Sequence, residues 1–194
     1  MVVACSAAAD ALRDGDIVFS SSAAGQGEAV MAATGSHHTH CGVVFLKDGR
    51  AMVLEAVEPV GVVPLGAFIS RSAPGTFLAR RLKNPLAPAG FATALAWGEA
   101  QIGKKYDLQF RWDDERMYCS ELVWKIYEKA GIRLCKPSRF QDYDLSKPSV
   151  KKVIEERYGS IEKMPKDEKV VAPSDLAASP LLVDVPVNRA GAER

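Results

Sequence analysis

No stretch of this chain stays apolar for the roughly 18 residues that a bilayer-crossing helix requires, because charge, glycine and proline interrupt every hydrophobic run. Neither sign of charge dominates: 25 basic residues stand against 24 acidic ones, a formal net charge of +1. Nucleic acid is therefore not an expected partner, since a polyanion-binding field needs a basic excess. Internal repeats are missing, which excludes a solenoid. The four cysteines, Cys5, Cys41, Cys119 and Cys135, show no CxxC spacing. They are too few for a disulfide scaffold and do not fix a compartment. The charged and apolar regions of a signal peptide are also lacking, yet Val2-Val3-Ala4-Cys5 looks like the end of a bacterial lipoprotein signal. Either Cys5 carries a lipid and tethers the protein peripherally to a membrane, or it lies in a tail rich in Ala and Ser. The first reading places the protein in the bacterial periplasm or cell envelope; the second leaves the cytoplasm open.

What is present suffices for one continuous core, at 194 residues and 47% hydrophobic content. The expected organisation is a flexible segment over 1–13, one domain over 14–187 and a frayed end over 188–194. Ile17-Val18-Phe19, after the Asp14-Gly15-Asp16 turn, reads as a short buried strand. Residues 27–34 carry helix formers stopped by Gly35. Strand-like runs at 41–46 and 51–57 flank Lys47-Asp48-Gly49-Arg50, where Asp-Gly signals a tight hairpin. With Asp48 and Gly49 as the turn, Gly42 lies opposite Glu55 and His40 opposite Val57. His40, Gly42 and Glu55 then share a face, with Glu55 the diagonal neighbour of His40 at roughly 7–8 Å between backbones. Cys41 and Glu58 fall on the other face, which argues against either joining a site built around His40. Further on, 76–82 reads as a strand, 89–102 as a helix, 106–112 as extended and aromatic, and 148–158 as a charged helix. A second long helix begins near Cys119 and ends at Gly131. The proline-punctuated remainder reads as a covering extension.

A cysteine at the start of a helix is a good nucleophile, because unpaired N–H groups and the helix dipole favour its thiolate. Cys119 has that place, and the same N–H groups can hold the oxyanion of an acyl-transfer intermediate. The plain alternative is a small buried residue without chemistry, the common fate of a free cysteine. All three histidines, His37, His38 and His40, precede the hairpin or open it. A thiolate needs a base and the base an orienter, so His40 is taken as base and Glu55 as orienter, with His37 and His38 as exposed loop residues. Tyr118 and Ser120, flanking the nucleophile, are candidates for lining the pocket or helping the oxyanion. A transition-metal site of His37, His38, His40 and Cys41 is the rival reading. Strand alternation counts against it, since His40 and Cys41 point apart. No metal and no cofactor are expected.

Together these residues resemble the YiiX-like family, a branch of the permuted papain-like superfamily that includes relatives of the NlpC-type peptidoglycan peptidases and of lecithin retinol acyltransferase. The blocks are Gly15-Asp16-Ile17-Val18-Phe19, Thr39-His40-Cys41-Gly42-Val43-Val44, Leu54-Glu55-Ala56, Lys105-Tyr106-Asp107 and Tyr118-Cys119-Ser120-Glu121-Leu122-Val123-Trp124. Asp144-Leu145-Ser146 and Glu156-Arg157-Tyr158-Gly159 continue the same order. The resemblance implies an α+β fold, a circularly permuted papain-like one, in which a helix-borne Cys packs on a small antiparallel sheet carrying the His and a third polar residue. His40 preceding Cys119 is the permuted order. Cys41 stands where an apolar residue is more usual, and its role is open. The implied activity is cleavage of an amide or ester through an acyl-enzyme, on peptide, amide or acyl-lipid substrates of the cell envelope. Acyl transfer to a lipid, and a catalytically silent module that captures a small ligand or peptide, are the alternatives.

Overall fold

The structure is a computed structural model that describes residues 12–22 and 26–187. Strand β1 (Ile17–Ser20) is followed by helix α1 (Gln26–Thr34) and then by the hairpin of β2 (His40–Lys47) and β3 (Arg50–Glu55). The turn is the one that Asp-Gly dictates: Asp48 and Gly49 both take positive φ, 51° and 73°. The register runs from Lys47↔Arg50 back to Gly42↔Glu55, as counted from the turn. Strand β4 (Gly61–Pro64) and the short helix α2 (Leu65–Ser70) come next, then β5 (Leu78–Leu82) and helix α3 (Pro88–Glu99). Helix α4 (Cys119–Lys129), the small ribbon of β6 (Ser138–Arg139) and β7 (Lys169–Val170), helices α5 (Pro148–Tyr158) and α6 (Pro173–Ala177), and β8 (Leu182–Asp184) complete the chain.

The main sheet is antiparallel with the order β4-β3-β2-β1-β5-β8. Alternation sorts its side chains into two cores. Ile17, Phe19, Cys41, Val43 and Leu54 face α3 and α4, where they meet Phe91, Leu122 and Ile126. Val18, Val44 and Val53 face the other way, onto Leu65 and Phe68 of the α2 region. Helix α4 lies between the sheet and the surrounding loops and is buried from Cys119 through Tyr127.

Four expectations change. Leu12, assigned to the flexible segment, is only 3% exposed and packs with the α2-side core; Cys5 and residues 188–194 lie outside the described residues. Residues 106–112 are not extended: Asp107 accepts the N–H groups of Gln109 and Arg111, which folds the backbone on itself. Phe110 takes a φ of 51° in that loop, uncommon for a bulky residue. The strand expected over 76–82 begins at Leu78. The covering extension contributes β8, an edge strand on β5, paired Arg80↔Asp184 through Leu82↔Leu182. Three residues flanked by Pro180 and Pro186 carry no local strand signal; the edge of β5 supplies it.

Candidate active site

Helix α4 opens on Cys119 itself, with extended Tyr118 before it. Glu121 accepts the Tyr118 N–H at 3.4 Å and receives Lys125 Nζ at 2.7 Å, one turn further on. Lys125 also donates to the Asp113 carbonyl and to Asp114, at 2.7 and 2.9 Å, tying the preceding loop to the helix. The nucleophile candidate is thereby fixed from both sides, and Cys119 is 3% exposed.

His40 opens β2 on the face opposite Cys41, and its ring stacks on Phe68 with centroids 5.5 Å apart. Its Nε2 lies 2.6 Å from Glu55 Oε2. The other nitrogen, Nδ1, is therefore the one left for Cys119, which lies close enough to His40 for each to shift the titration of the other. Glu55 has no exposed surface. Its second oxygen receives Arg71, the residue that ends α2. Gly42 lets the strands close here: a Cβ there would stand 2.5 Å from Val53 Cγ1 and 2.9 Å from the Leu54 carbonyl oxygen.

The electrostatics follow from these contacts. Burial would push the Glu55 carboxyl up, but the hydrogen bonds and charges of His40 and Arg71 hold it below its ordinary value. For His40, burial works against the charged ring, yet Cys119 and Glu55 outweigh it and raise the imidazolium to about 9. Cys119 is held well below its usual range. The Cys41 thiol donating to it is the largest cause, and His40 adds a hydrogen bond and charge that oppose the effect of burial. Cys41 is pushed up by burial and by the neighbouring sulfur, so it remains a thiol. These shifts favour a Cys119 thiolate beside a His40 imidazolium.

Strand alternation places Cys41 on the opposite face from His40, as expected, but the exclusion drawn from it fails. The site straddles the end of the sheet: Cys119 sits over the α4 face with Cys41, and His40 reaches it from the other side. Glu58, excluded by the same argument, accepts the Tyr106 N–H at 2.9 Å.

The remaining sequence candidates separate. The Ser120 hydroxyl donates to the Val171 carbonyl at 2.7 Å, and the Tyr118 oxygen accepts the Val171 N–H at 3.3 Å. Both anchor α4 to the segment before α6; the Ser120 proton is thereby engaged, whereas Tyr118 is an acceptor there and keeps its own O–H, and both residues line the cleft. His37 is exposed. His38, expected in the open, is half-buried with its ring 5.6 Å from Phe19, and burial lowers its pKa.

Tyr106 is the residue that the sequence reading passed over. A bridge pairs it with Met117, two residues before Cys119. Its hydroxyl is pushed far up by burial and by the charge of Cys119, so it stays protonated. The signal was present: Tyr106 lies in one of the family blocks, but only as one aromatic among several. From Cys119 a cleft runs between α1 and α5, walled by Ala29, Val30, Val150, Val153, Ile154 and Met164. Arg157 is its one charged lining residue among those described.

Over residues 11–185 the chain matches the family described as permuted papain-like amidase enzyme, YaeF/YiiX, C92 family. It is 35% identical over 172 residues to uncharacterized protein YiiX of Escherichia coli strain K12, covering 88% of this chain and 84% of that protein. The crystal structure of metalloprotein yiiX from Escherichia coli O157:H7 agrees with a TM-score of 0.85 at 34% identity. The match covers 91% of this chain and 97% of that one. Among the described residues here, no three His, Cys, Asp or Glu side chains converge to hold an ion. Glu55 also has both oxygens engaged, so these residues do not fit a resident metal.

Proposed function

Because the chain belongs to the permuted papain-like amidase family, YaeF/YiiX, C92, we propose that it hydrolyses amides of acyl chains through a thioester on Cys119. In this reading the Cys119 thiolate adds to the amide carbonyl, forming the C–S bond and an oxyanion. The N–H groups at the start of α4 and the Tyr106 hydroxyl stabilise that oxyanion. His40 gives its proton to the departing nitrogen, the C–N bond breaks, and the amine leaves. Water then attacks the thioester with His40 as base, the C–S bond breaks, and a carboxylic acid and the thiolate are released. Glu55 keeps the imidazole ring oriented throughout, whether neutral or protonated.

The observation that carries the substrate class is the cleft. Its walls next to Cys119 are aliphatic and aromatic, which suits an acyl chain and offers few polar groups to read a peptide. The test is intact-mass spectrometry of the protein after incubation with N-acyl amides of graded chain length and, separately, with muropeptides. An adduct of acyl mass on Cys119, absent in Cys119→Ala, is expected from the acyl amides. Adducts from muropeptides alone would replace this substrate class with cell-wall peptides, and transfer of the acyl group to added amines or lipids in preference to water would make the enzyme an acyltransferase.

A further inference from the structure

Gln26, the first residue of α1, joins two groups of opposite hydrogen-bonding character. Its side-chain Nε2 donates to the Tyr106 oxygen at 2.8 Å, and its Oε1 accepts from Arg157 Nη2 at 2.6 Å. An amide can flip and exchange these roles. Here it cannot, because a guanidinium has five donors and no acceptor. Arg157 fixes the Gln26 oxygen on its own side and thereby the amide N–H on the side of Tyr106.

Arg157 is held in turn. Its Nη1 donates to the Leu108 carbonyl at 2.8 Å and its guanidinium lies 5.1 Å from the Phe110 ring centroid. Among the described residues no carboxylate pairs with it within 4 Å, and unlike an exposed lysine it lines a cleft whose other described walls carry no charge. A positive charge left without a counter-ion in the wall of an apolar cleft needs another reason to be there.

The consequence falls on Tyr106. Its oxygen already accepts from Gln26, so its own O–H is directed elsewhere, and it lines the cleft with Cys119. We propose that Arg157 and Gln26 form a relay of positioning residues that forces the Tyr106 hydroxyl to act as a donor into the cleft, toward the oxyanion formed at Cys119. The relay rests on the cysteine-amidase reading and adds to it the device that orients one oxyanion donor.

Gln26→Glu separates a relay from a merely structural contact. The carboxylate keeps the shape and strengthens the contact with Arg157, so a structural role predicts an enzyme as stable and as active as the parent. In the relay the carboxylate accepts the Tyr106 proton and turns it away from the cleft. The probe is p-nitrophenyl octanoate, with acylation read from the nitrophenolate burst. Expected for Gln26→Glu is a fall in the acylation rate on the order of 100-fold, with little change in KM and no loss of Tm. Tyr106→Phe falls equally, and the double variant falls no further. Arg157→Met, which frees the amide to flip, gives an intermediate loss. A Gln26→Glu enzyme acylated at the parental rate, or a double variant whose losses multiply, overturns the relay. Should the parent form no acyl-enzyme with any probe, the amidase reading fails instead. The relay is then judged from the Gln26 side-chain amide in 15N NMR: its resonance must move in both Tyr106→Phe and Arg157→Met, and a resonance unmoved in either overturns it.

Discussion

Glu55 carries a charge with no access to solvent, and its position depends on the two groups that meet its oxygens. Arg71 is the one outside the hairpin. Replacing it by Met leaves one carboxylate oxygen buried and unsatisfied and raises the Glu55 pKa, because a cation and a charge-assisted bond are lost. Arg71 is 48% exposed and partly screened, so the cost sits at the low end for a bond to a charged group, about 1.5 kcal/mol, or about tenfold in kcat/KM. The acid limb of the pH profile should move upward in that variant; an unchanged limb would show that Glu55 does not need Arg71. In the parent, kcat/KM should fall as pH rises through about 9, where His40 loses the proton that the leaving amine requires. Stability has the same sign. The His40 value is raised in the fold, so its contribution is complete below the unfolded value of 6.5 and disappears as pH rises through about 9. Thermal unfolding followed across that window checks it. At this scale the sequence made the approach of His40 to Glu55 legible, since a two-residue turn fixes register. Arg71 was not legible, because nothing in positions 55 and 71 says that α2 folds back over the strand.

Helix α4 carries Cys119 at its tip, and what holds the tip still is a buried ion pair one turn away. Glu121 has no exposed side-chain surface, and Lys125 has 9%. Burial already pushes the Glu121 carboxyl up to about 8 against the opposing pull of Lys125, so without the lysine it takes up a proton and is left as a buried acid with an unsatisfied oxygen. Lys125→Met should therefore cost about 1–3 kcal/mol in denaturant unfolding, while the double change Glu121→Leu with Lys125→Met should recover most of it. A single-variant cost below about 1 kcal/mol, the range of an exposed pair, would mean that the pair is hydrated. The helix itself was legible from its apolar period and the glycine that follows it, because a helix pattern is local. The fold of residues 106–112 was not. Aromatic residues in a row suggest a strand, whereas one carboxylate, Asp107, captures two backbone N–H groups and bends them into a turn. That bend places Phe110 in the cleft beside Tyr118, with ring centroids 5.1 Å apart.

The molecule as a whole decides what reaches Cys119. The cleft exists because α1 and α5 pack together beside the N-terminus of α4, a meeting of segments more than a hundred residues apart in sequence. Ala33 lines it from α1 and is only half-buried, so Ala33→Leu should fill space at little cost in stability. If an acyl chain occupies the cleft, the preferred chain shortens by about two or three methylenes, each excluded one forfeiting about 0.8 kcal/mol, about fourfold in kcat/KM. An unaltered chain-length profile would place the acyl group elsewhere. The strand periods, the Asp48-Gly49 turn, the helical period behind Cys119 and the His-before-Cys order are local or near-local properties, so the sequence by itself determined the hairpin register, the helix and the family. Which side chains border Cys119 was decided only by tertiary structure. Tyr106 and Cys41, with Gln26, Arg157 and Arg71 that hold Tyr106 and Glu55 in turn, come from a loop, the far face of a strand, two helices and a helix end. Alternation ranks faces but does not show that a site lies at the end of a sheet, where both faces can reach the same sulfur.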